Sequence, residues 1–437
     1  MIVGYSNGFH DAAMSVITDS GDIVYAGHAE RYSRVKGDKN HCGRMPVYIG
    51  TTVFYEDPTL KNERLTYAGQ EVLVRPEYDQ YCEHHWSHAA ACYYTRPYEE
   101  EPVCVVIDAI GEWDTCSIWY KKEKVWSTKY PYSLGLFYSA ITQRCGLKPM
   151  EDEYITMGMA AYGEPIYNLE YLLEMNLHKG CGNILPNAKR SDIAASAQHL
   201  LETKITEIMT KAREYSDYLC YGGGVALNCV ANSKIHDMFS KVWIFPNPGD
   251  AGSSLGAAAA YLDKKLKWKD CFLGNDIKRE LDVKGIVQEL LKNRVVGVAN
   301  GKAEFGPRAL GNRSLLGDPR YDIKDRVNDI KQRQRYRPFS PAILAEHAST
   351  FFSGPMNEYM QYVAHAKHDY NSVVHIDNTS RVQKVSNGNL RKILEEWYNQ
   401  TGCPMLLNTS LNIKGQPIVN TWDHAEDFMK RYNVKCF

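Results

Sequence analysis

Residues 103–130 read VCVVIDAIGEWDTCSIWYKKEKVWSTKY, and this stretch decides the fold class. An apolar run ends on Asp108 and enters a turn containing Gly111; two more strand-like runs follow, TCSIWYKK and KVWSTKY. The start of the chain repeats the pattern without sequence identity. MIVGYS and AAMSVIT come first, then IVYAGHAERYS after the turn signal Asp19-Ser20-Gly21-Asp22. A strand that carries polar residues into a glycine turn and then a hairpin, twice in one chain, predicts two related α/β halves. Chance recurrence of short apolar runs is the alternative reading.

Further along, Ile193, Ala194, Ala197, Leu200, Leu201, Ile205, Ile208 and Met209 mark one face of a helix over 191–215. A short strand, YLCY, leads into Gly222, Gly223 and Gly224 and then an expected helix, VALNCVANSKIHDM. A strand–glycine–helix unit can aim backbone N–H groups at a phosphate; glycines also serve close packing. The charged stretch 263–281 lacks apolar periodicity and marks a boundary. After it, Asp282 can cap a helix with Val283, Ile286, Val287, Leu290 and Leu291 on its apolar face, followed by a strand over 295–299. The division expected is 1–275 and 276–437, in keeping with two or three domains for 437 residues.

Composition narrows the function classes. Hydrophobic residues are 44% and charged residues 24%, which excludes a wholly disordered chain. Lys+Arg number 51 against Asp+Glu 52, so bulk charge points neither to a polyanion nor to a membrane surface, although a local basic groove stays open. No apolar run reaches the roughly 18 residues of a membrane span, and the N-terminus has no secretory pattern. The twelve cysteines are scattered without a CxxC pair. They read as reduced, mostly buried thiols of a cytoplasmic protein rather than a zinc site.

Three constellations can carry chemistry. In EHHWSHAA, His84 and His88 are four apart and share a helix face. They suit one shared cation or a packed core pair, and spacing alone leaves both open. Asp108 and Asp250 each follow a strand and precede a glycine turn, where carboxylates point into a cleft. Two imidazoles with carboxylate oxygens suit iron or another borderline divalent ion. Next, GPRALGNRS (306–314) and KQRQRYRPFSP (331–341) set Arg308, Arg313, Lys331 and Arg337 among glycines and prolines. Rigid guanidinium groups mixed with apolar residues favour a phosphate pocket over a solvated face. Last, LLNTSLN (406–412) followed by Lys414 brings Asn408 and Ser410 to a strand end, for a nucleotide or merely for a turn. There is no Walker P-loop.

In order, these motifs resemble the NodU/CmcH family of O-carbamoyltransferases. The matching stretches are His10-Asp11-Ala12-Ala13, Glu30-Arg31-Tyr32-Ser33-Arg34, His84-His85-x-x-His88-Ala89, 108–112, 133–135, 157–163, 222–228, 306–311, 337–339, 375–383 and 408–412, nearly the whole chain. The resemblance implies an N-terminal actin-like (ASKHA) domain, similar to the tRNA threonylcarbamoyl-transferase domain, followed by a YrdC-like α/β domain. It implies carbamoyl-adenylate made from carbamoyl phosphate and ATP (with Mg2+) in the second domain. The carbamoyl group then passes to an acceptor hydroxyl beside Fe(II) or a similar metal in the first.

By the same resemblance His84, His88, Asp108 and Asp250 hold the metal, and Gly222, Gly223, Gly224 and Asn228 line the adenylate. Lys331, Arg337, Arg308, Arg381 and Lys414 grip phosphates, Asn408 and Ser410 bind nucleotide, and His10 is the expected general base. Ala109, Ile155, Gln334 and Lys414 depart from the family pattern, and loops 37–80 and 163–190 are candidates for trimming. The expected acceptor is a sugar or other small alcohol, or a hydroxymethyl pyrimidine, free or in DNA. A homodimer is compatible with this, and no membrane partner is expected. Two other functions stay in view: tRNA threonylcarbamoylation, and a non-catalytic nucleotide-binding scaffold.

Overall fold

The structure is a computed structural model that describes residues 1–41, 43–69 and 78–437. They group into two units. One comprises Met1–Ala26, Lys39–His41 and Pro46–Lys269; the other comprises Gly27–Asp38, a short piece ending at Met45, and Asp270–Phe437.

The first unit holds two five-stranded sheets. One is built from β1 (Ile2–Ser6), β2 (Ala13–Ile17), β3 (Ile23–His28), β4 (Thr51–Phe54) and β5 (Gln80–Tyr81), in the order β3-β2-β1-β4-β5. The other is built from β6 (Val103–Gly111), β7 (Asp114–Tyr120), β8 (Glu123–Lys129), β9 (Tyr218–Gly222) and β10 (Lys241–Ile244), in the order β8-β7-β6-β9-β10. Numbered within its own half, each sheet runs 3-2-1-4-5. In both, the first strand is antiparallel to the second and parallel to the fourth, and the fourth is parallel to the fifth. The repeated pattern in the sequence is thus a repeat of topology.

In each half a helix follows the fifth strand: His84–Thr95 in one and Asp250–Leu262 in the other. These two helices pack together. Their N-termini and the ends of β1 and β6 are the elements that build the site described below.

The second unit is also mixed α/β. Its small sheet pairs β11 (Phe272–Ile277) with β13 (Gly301–Glu304). Its main sheet takes β12 (Val295–Ala299), β14 (Arg313–Gly317), β15 (Ser340–Leu344), β19 (Gln383–Val385) and β20 (Met405–Ser410), in the order β12-β14-β20-β15-β19. A third, minor sheet contains β16 (Phe352–Ser353), β17 (Ala364–Ala366) and β18 (Thr379–Ser380). Both faces of the main sheet are covered. Val296, Val298 and Leu406 face Ile286, Leu290 and Trp397 from the helices Val283–Asn293 and Gly388–Thr401. Val295, Ala299, Met405 and Leu407 face a core that includes Phe428 of the helix Trp422–Tyr432. Alternation along a strand with two buried faces yields a continuous apolar run. The Asp282 cap is present, its side chain accepting the Gly285 N–H.

Three expectations differ from the structure. The chain divides at Lys269 rather than at 275, and Gly27–Asp38 joins the second unit. Arg31 Nη2 donates to the Gly306 carbonyl, and Arg34 donates to the carbonyls of Pro417 and Ile418. The third strand ends at His28; Glu30–Ser33 forms one helical turn instead, and the Glu30 carboxylate accepts from Lys36 Nζ and the Gly37 N–H. The helix expected over 225–238 is broken. Gly224–Leu227 is a 3-10 turn, and Asn228 (ψ 91°) leaves helical geometry to cap Cys229–Ile235.

Of the loops noted above, 37–80 carries β4, the helix Pro58–Tyr67 and β5, with residues 42 and 70–77 outside the described residues. The 163–190 stretch carries only the 3-10 turns Glu170–Glu174 and Leu177–Lys179 before the long helix begins. Every described cysteine is buried and unpaired; Cys42 lies outside the described residues. Among the described residues no helix is long and apolar enough to cross a membrane.

Candidate functional site

His84 opens the helix after β5, His88 lies one turn along, Asp108 sits on β6 and Asp250 opens the helix after β10. One ligand atom from each lies within 4.8 Å of all the others. The two Nε2 atoms are 3.1 Å apart. Asp108 Oδ2 is 3.1 Å from His84 Nε2 and 3.5 Å from His88 Nε2; Asp250 Oδ1 is 3.7 and 3.4 Å from the same atoms. All four side chains are buried.

The donor set fits a divalent cation. His88 Nδ1 donates to the Pro248 carbonyl at 3.0 Å, which leaves the Nε2 lone pair facing the centre. Two neutral imidazoles and two carboxylates supply N₂O₂ donors and two negative charges, suited to a borderline divalent ion. The cluster otherwise binds protons. Burial opposes charge on His84, but the Asp108 and Glu56 carboxylates overcome it and raise its pKa to about 10. Burial likewise raises Asp108, yet the two histidines hold it well below the usual carboxylate range. Metal uptake here therefore releases protons.

The glycines form the floor of this centre. Gly223 has φ +88°, a conformation that favours glycine, and its N–H donates to the same Pro248 carbonyl at 2.9 Å. The Gly224 N–H donates to Asp108 Oδ1 at 3.1 Å. Gly222 ends β9 directly before them. Asn228 is placed differently: its Oδ1 caps Ala231, and its amide pairs reciprocally with Gln198 at 3.1 and 2.9 Å. His10, in the turn after β1, is held by Asp11 Oδ2 at 3.0 Å and lies 3.8 Å from Asp250 Oδ2. Burial opposes its charge, but the bond to Asp11 and the charge of Asp250 raise it to about 9.

Two residues that matter here were not among the candidate site residues. Glu56 Oε2 lies 3.6 Å from His84 Nδ1. A Cβ on Gly111 would lie 2.0 Å from His84 Cδ2. Gly111→Ala is accordingly expected to displace His84 and weaken Co(II) binding about tenfold or more, read by competition with a chromophoric chelator. Parent-like affinity would mean that His84 does not hold the metal from this position.

In the second unit, Lys331 ends the helix Lys324–Ile330 and is buried. Its Nζ meets the Ser410 carbonyl, Ser410 Oγ (3.2 Å), the Asn412 carbonyl (2.9 Å) and Asn412 Oδ1 (3.0 Å). The Lys414 N–H donates to the Lys331 carbonyl at 2.9 Å, so Lys331, Ser410 and Lys414 come together. Burial, and then Arg333 and Arg337, lower the Lys331 pKa well below the ordinary lysine value. A shallow pocket beside it is lined by Asp329, Gln332, Arg333, Gln334 and Lys414. Arg333 belongs to the 331–341 run, where no proline beside it singles it out.

The turn that carries Arg308 is fixed from both sides. Asn408 Nδ2 donates to the Ala309 carbonyl and to Gln383 Oε1, and Gln383 Nε2 donates to the Leu310 carbonyl. The buried Glu304 Oε1 accepts the N–H groups of Leu310, Asn312 and Arg313. Arg381 Nε donates to Ser340 Oγ at 3.3 Å. Arg313 is fully buried, and its guanidinium donates to the carbonyls of Asn275, Asn300, Gly301, Asn312 and Asn420. That arginine is a strut of the unit.

Residues 287–437 match the family described as Carbamoyltransferase C-terminus, and residues 55–179 and 174–259 match Carbamoyltransferase N-terminus. An uncharacterized protein of Synechocystis is 30% identical, covering 97% of this chain and 93% of its own length. Nodulation protein NolNO of Sinorhizobium fredii is 30% identical, covering 94% of this chain and 75% of its own. Among solved structures, the activator of 2-hydroxyisocaproyl-CoA dehydratase from Clostridium difficile covers 60% of this chain and 94% of its own at 12% identity and TM-score 0.41.

Proposed function

The chain belongs to the carbamoyltransferase family, and from that premise we propose that it is an ATP-dependent O-carbamoyltransferase working through carbamoyl-adenylate. The observation that carries this reading is the convergence of His84, His88, Asp108 and Asp250 on one point. In this proposal the first unit is the actin-like transfer domain and the second is YrdC-like and makes the adenylate.

The second unit's task is electrostatic. Water releases phosphate from carbamoyl phosphate; a carbamate oxygen then attacks the α-phosphorus of ATP and expels pyrophosphate. An anion attacks an anion in that step, so fixed positive charge lowers the barrier. Lys331, Arg337, Arg308, Arg381 and Lys414 supply it. The Glu304, Asn408 and Gln383 hydrogen bonds fix the turn that carries Arg308.

In the first unit the acceptor oxygen attacks the carbamoyl carbon and AMP leaves. A bound divalent ion, Fe(II) in our reading, supplies Lewis acidity toward the carbamoyl oxygen. His84, His88, Asp108 and Asp250 hold it. His10 takes the hydroxyl proton; Asp11 orients its ring through Nδ1, and a cation beside Asp250 disfavours the protonated form that the bare carboxylates promote. Gly222, Gly223 and Gly224 shape the floor toward the adenylate. The acceptor we propose is a small-molecule alcohol such as a sugar, with a hydroxymethyl pyrimidine as the other arm of the test.

Mass spectrometry of the protein with ATP, carbamoyl phosphate and Fe(II), in parallel tubes with sugars, nucleosides, plain DNA and hydroxymethyl-pyrimidine DNA, tests this. The expected result is AMP that requires carbamoyl phosphate, with one carbamoyl group added to one acceptor class. Absence of AMP from folded, metal-loaded protein would overturn the reading in favour of a nucleotide-binding scaffold.

A further inference from the structure

Behind His84 lies a group of charged side chains that no step above uses. Glu56 follows β4, Asp57 caps the helix Pro58–Tyr67, and the inner face of that helix presents Lys61 and Arg64. Glu56 is 0%, Lys61 1% and Arg64 6% exposed. Lys61 Nζ donates to Glu56 Oε2 at 2.5 Å and to the Tyr55 hydroxyl at 2.8 Å. Arg64 Nη2 donates to Glu56 Oε1 at 2.8 Å, and its Nη1 donates to the Ile110 carbonyl, two residues beyond Asp108 on β6. The group thus joins the strand that carries Asp108 to the carboxylate behind His84.

We propose that Glu56, held by Lys61 and Arg64, is the positioning residue for His84: it fixes the ring with Nδ1–H toward Glu56 and the Nε2 lone pair toward the centre. The inference rests on the reading of that centre as a metal site. Three lines support it. First, a buried ionic triad is a poor source of stability, because packed apolar side chains of the same volume avoid the desolvation cost. Second, among the described residues His84 Nδ1 is buried with no hydrogen-bond partner, and Glu56 Oε2, at 3.6 Å, is the carboxylate in ion-pair range of it. Third, the other imidazole has its counterpart, since Pro248 fixes His88 through Nδ1. A carboxylate behind a ligating imidazole sets its tautomer and strengthens it as a donor. Lys61 Nζ and Arg64 Nη2 each hold one Glu56 oxygen, so the carboxylate faces His84 with a cation on either side.

Co(II) is the probe. Glu56→Gln keeps size and an acceptor oxygen but loses the charge; it is expected to bind Co(II) about 10–100-fold more weakly than the parent and to shift the visible Co(II) bands. Because Lys61 and Arg64 would then carry uncompensated charge, the pair Glu56→Gln/Lys61→Met is measured beside it, and it too is expected to bind weakly while unfolding at a temperature close to the parent's. Either variant, folded and binding Co(II) within twofold of the parent with unchanged bands, overturns the proposal. Parent protein that binds Co(II) without making AMP would instead count against the carbamoyl-adenylate reading and leave the positioning result standing.

Discussion

Asp108→Asn is expected to leave AMP formation running while carbamoyl transfer falls by about three orders of magnitude, the several kcal/mol of charge stabilisation that a bound metal supplies. Asp108 ties both imidazoles to the glycine turn. Its Oδ2 touches both imidazoles and its Oδ1 holds the Gly224 N–H. An amide of the same shape halves the negative charge of the donor set. It also turns an N–H group toward either a histidine lone pair or the Gly224 N–H. Metal content by mass spectrometry and single-turnover transfer from preformed carbamoyl-adenylate are the paired measurements. AMP formation serves as the internal control, because the residues assigned to it lie in the other unit. An Asp108→Asn protein that retains both metal and transfer would remove the centre from the reaction.

The parts of this site that could be read from the chain are those whose geometry is local. An i, i+4 spacing puts His84 and His88 on one helix face wherever that helix packs. The apolar run over 103–107 marks the strand that carries Asp108, although β6 runs on past it to Gly111 instead of turning there. The repeat was legible for a similar reason: strand, turn and hairpin are neighbours in sequence, and the shared 3-2-1-4-5 order follows from folding that unit twice.

What escaped is set by contacts distant along the chain. Nothing near Arg34 announces that its guanidinium binds the carbonyls of Pro417 and Ile418, so Gly27–Asp38 read as part of the first domain, with its strand carried on to Ser33. Glu56 sits among ordinary charged residues, and only burial against Lys61, Arg64 and His84 singles it out. Gly111 matters because a helix from elsewhere lays His84 where its Cβ would be. Asn228, which the resemblance sets against the adenylate, has its side chain engaged by Gln198 and a helix N-terminus, and the pairing with Gln198 is another contact distant along the chain.

Lys331→Met is expected to lower AMP formation by about 10²–10³-fold, the scale of removing one preorganised charge-stabilising donor, and to lower Tm as well. The second effect follows because Ser410 and Asn412 lose the ammonium whose three N–H groups are shared among four of their oxygens. Loss of stability alone would also lower activity, so pH separates the two. Burial, with Arg333 and Arg337 nearby, lowers the Lys331 pKa well below the ordinary lysine value. If its charge serves the anionic substrates, kcat/KM for carbamoyl phosphate falls as pH rises through that depressed value. Stability moves the other way. Between the folded-state pKa and the unfolded value near about 10.5 the unfolded chain binds the extra proton, so unfolding free energy rises with pH across that window and is lost again as pH falls through the folded-state pKa. Lys331→Met removes both limbs. Lys331→Arg, which keeps its charge throughout, should remove the alkaline fall in kcat/KM while retaining more of the rate than Met. A parent protein whose activity and stability rise together over that range would show that Lys331 works as a strut between its helix and β20 rather than as a charge for the substrate.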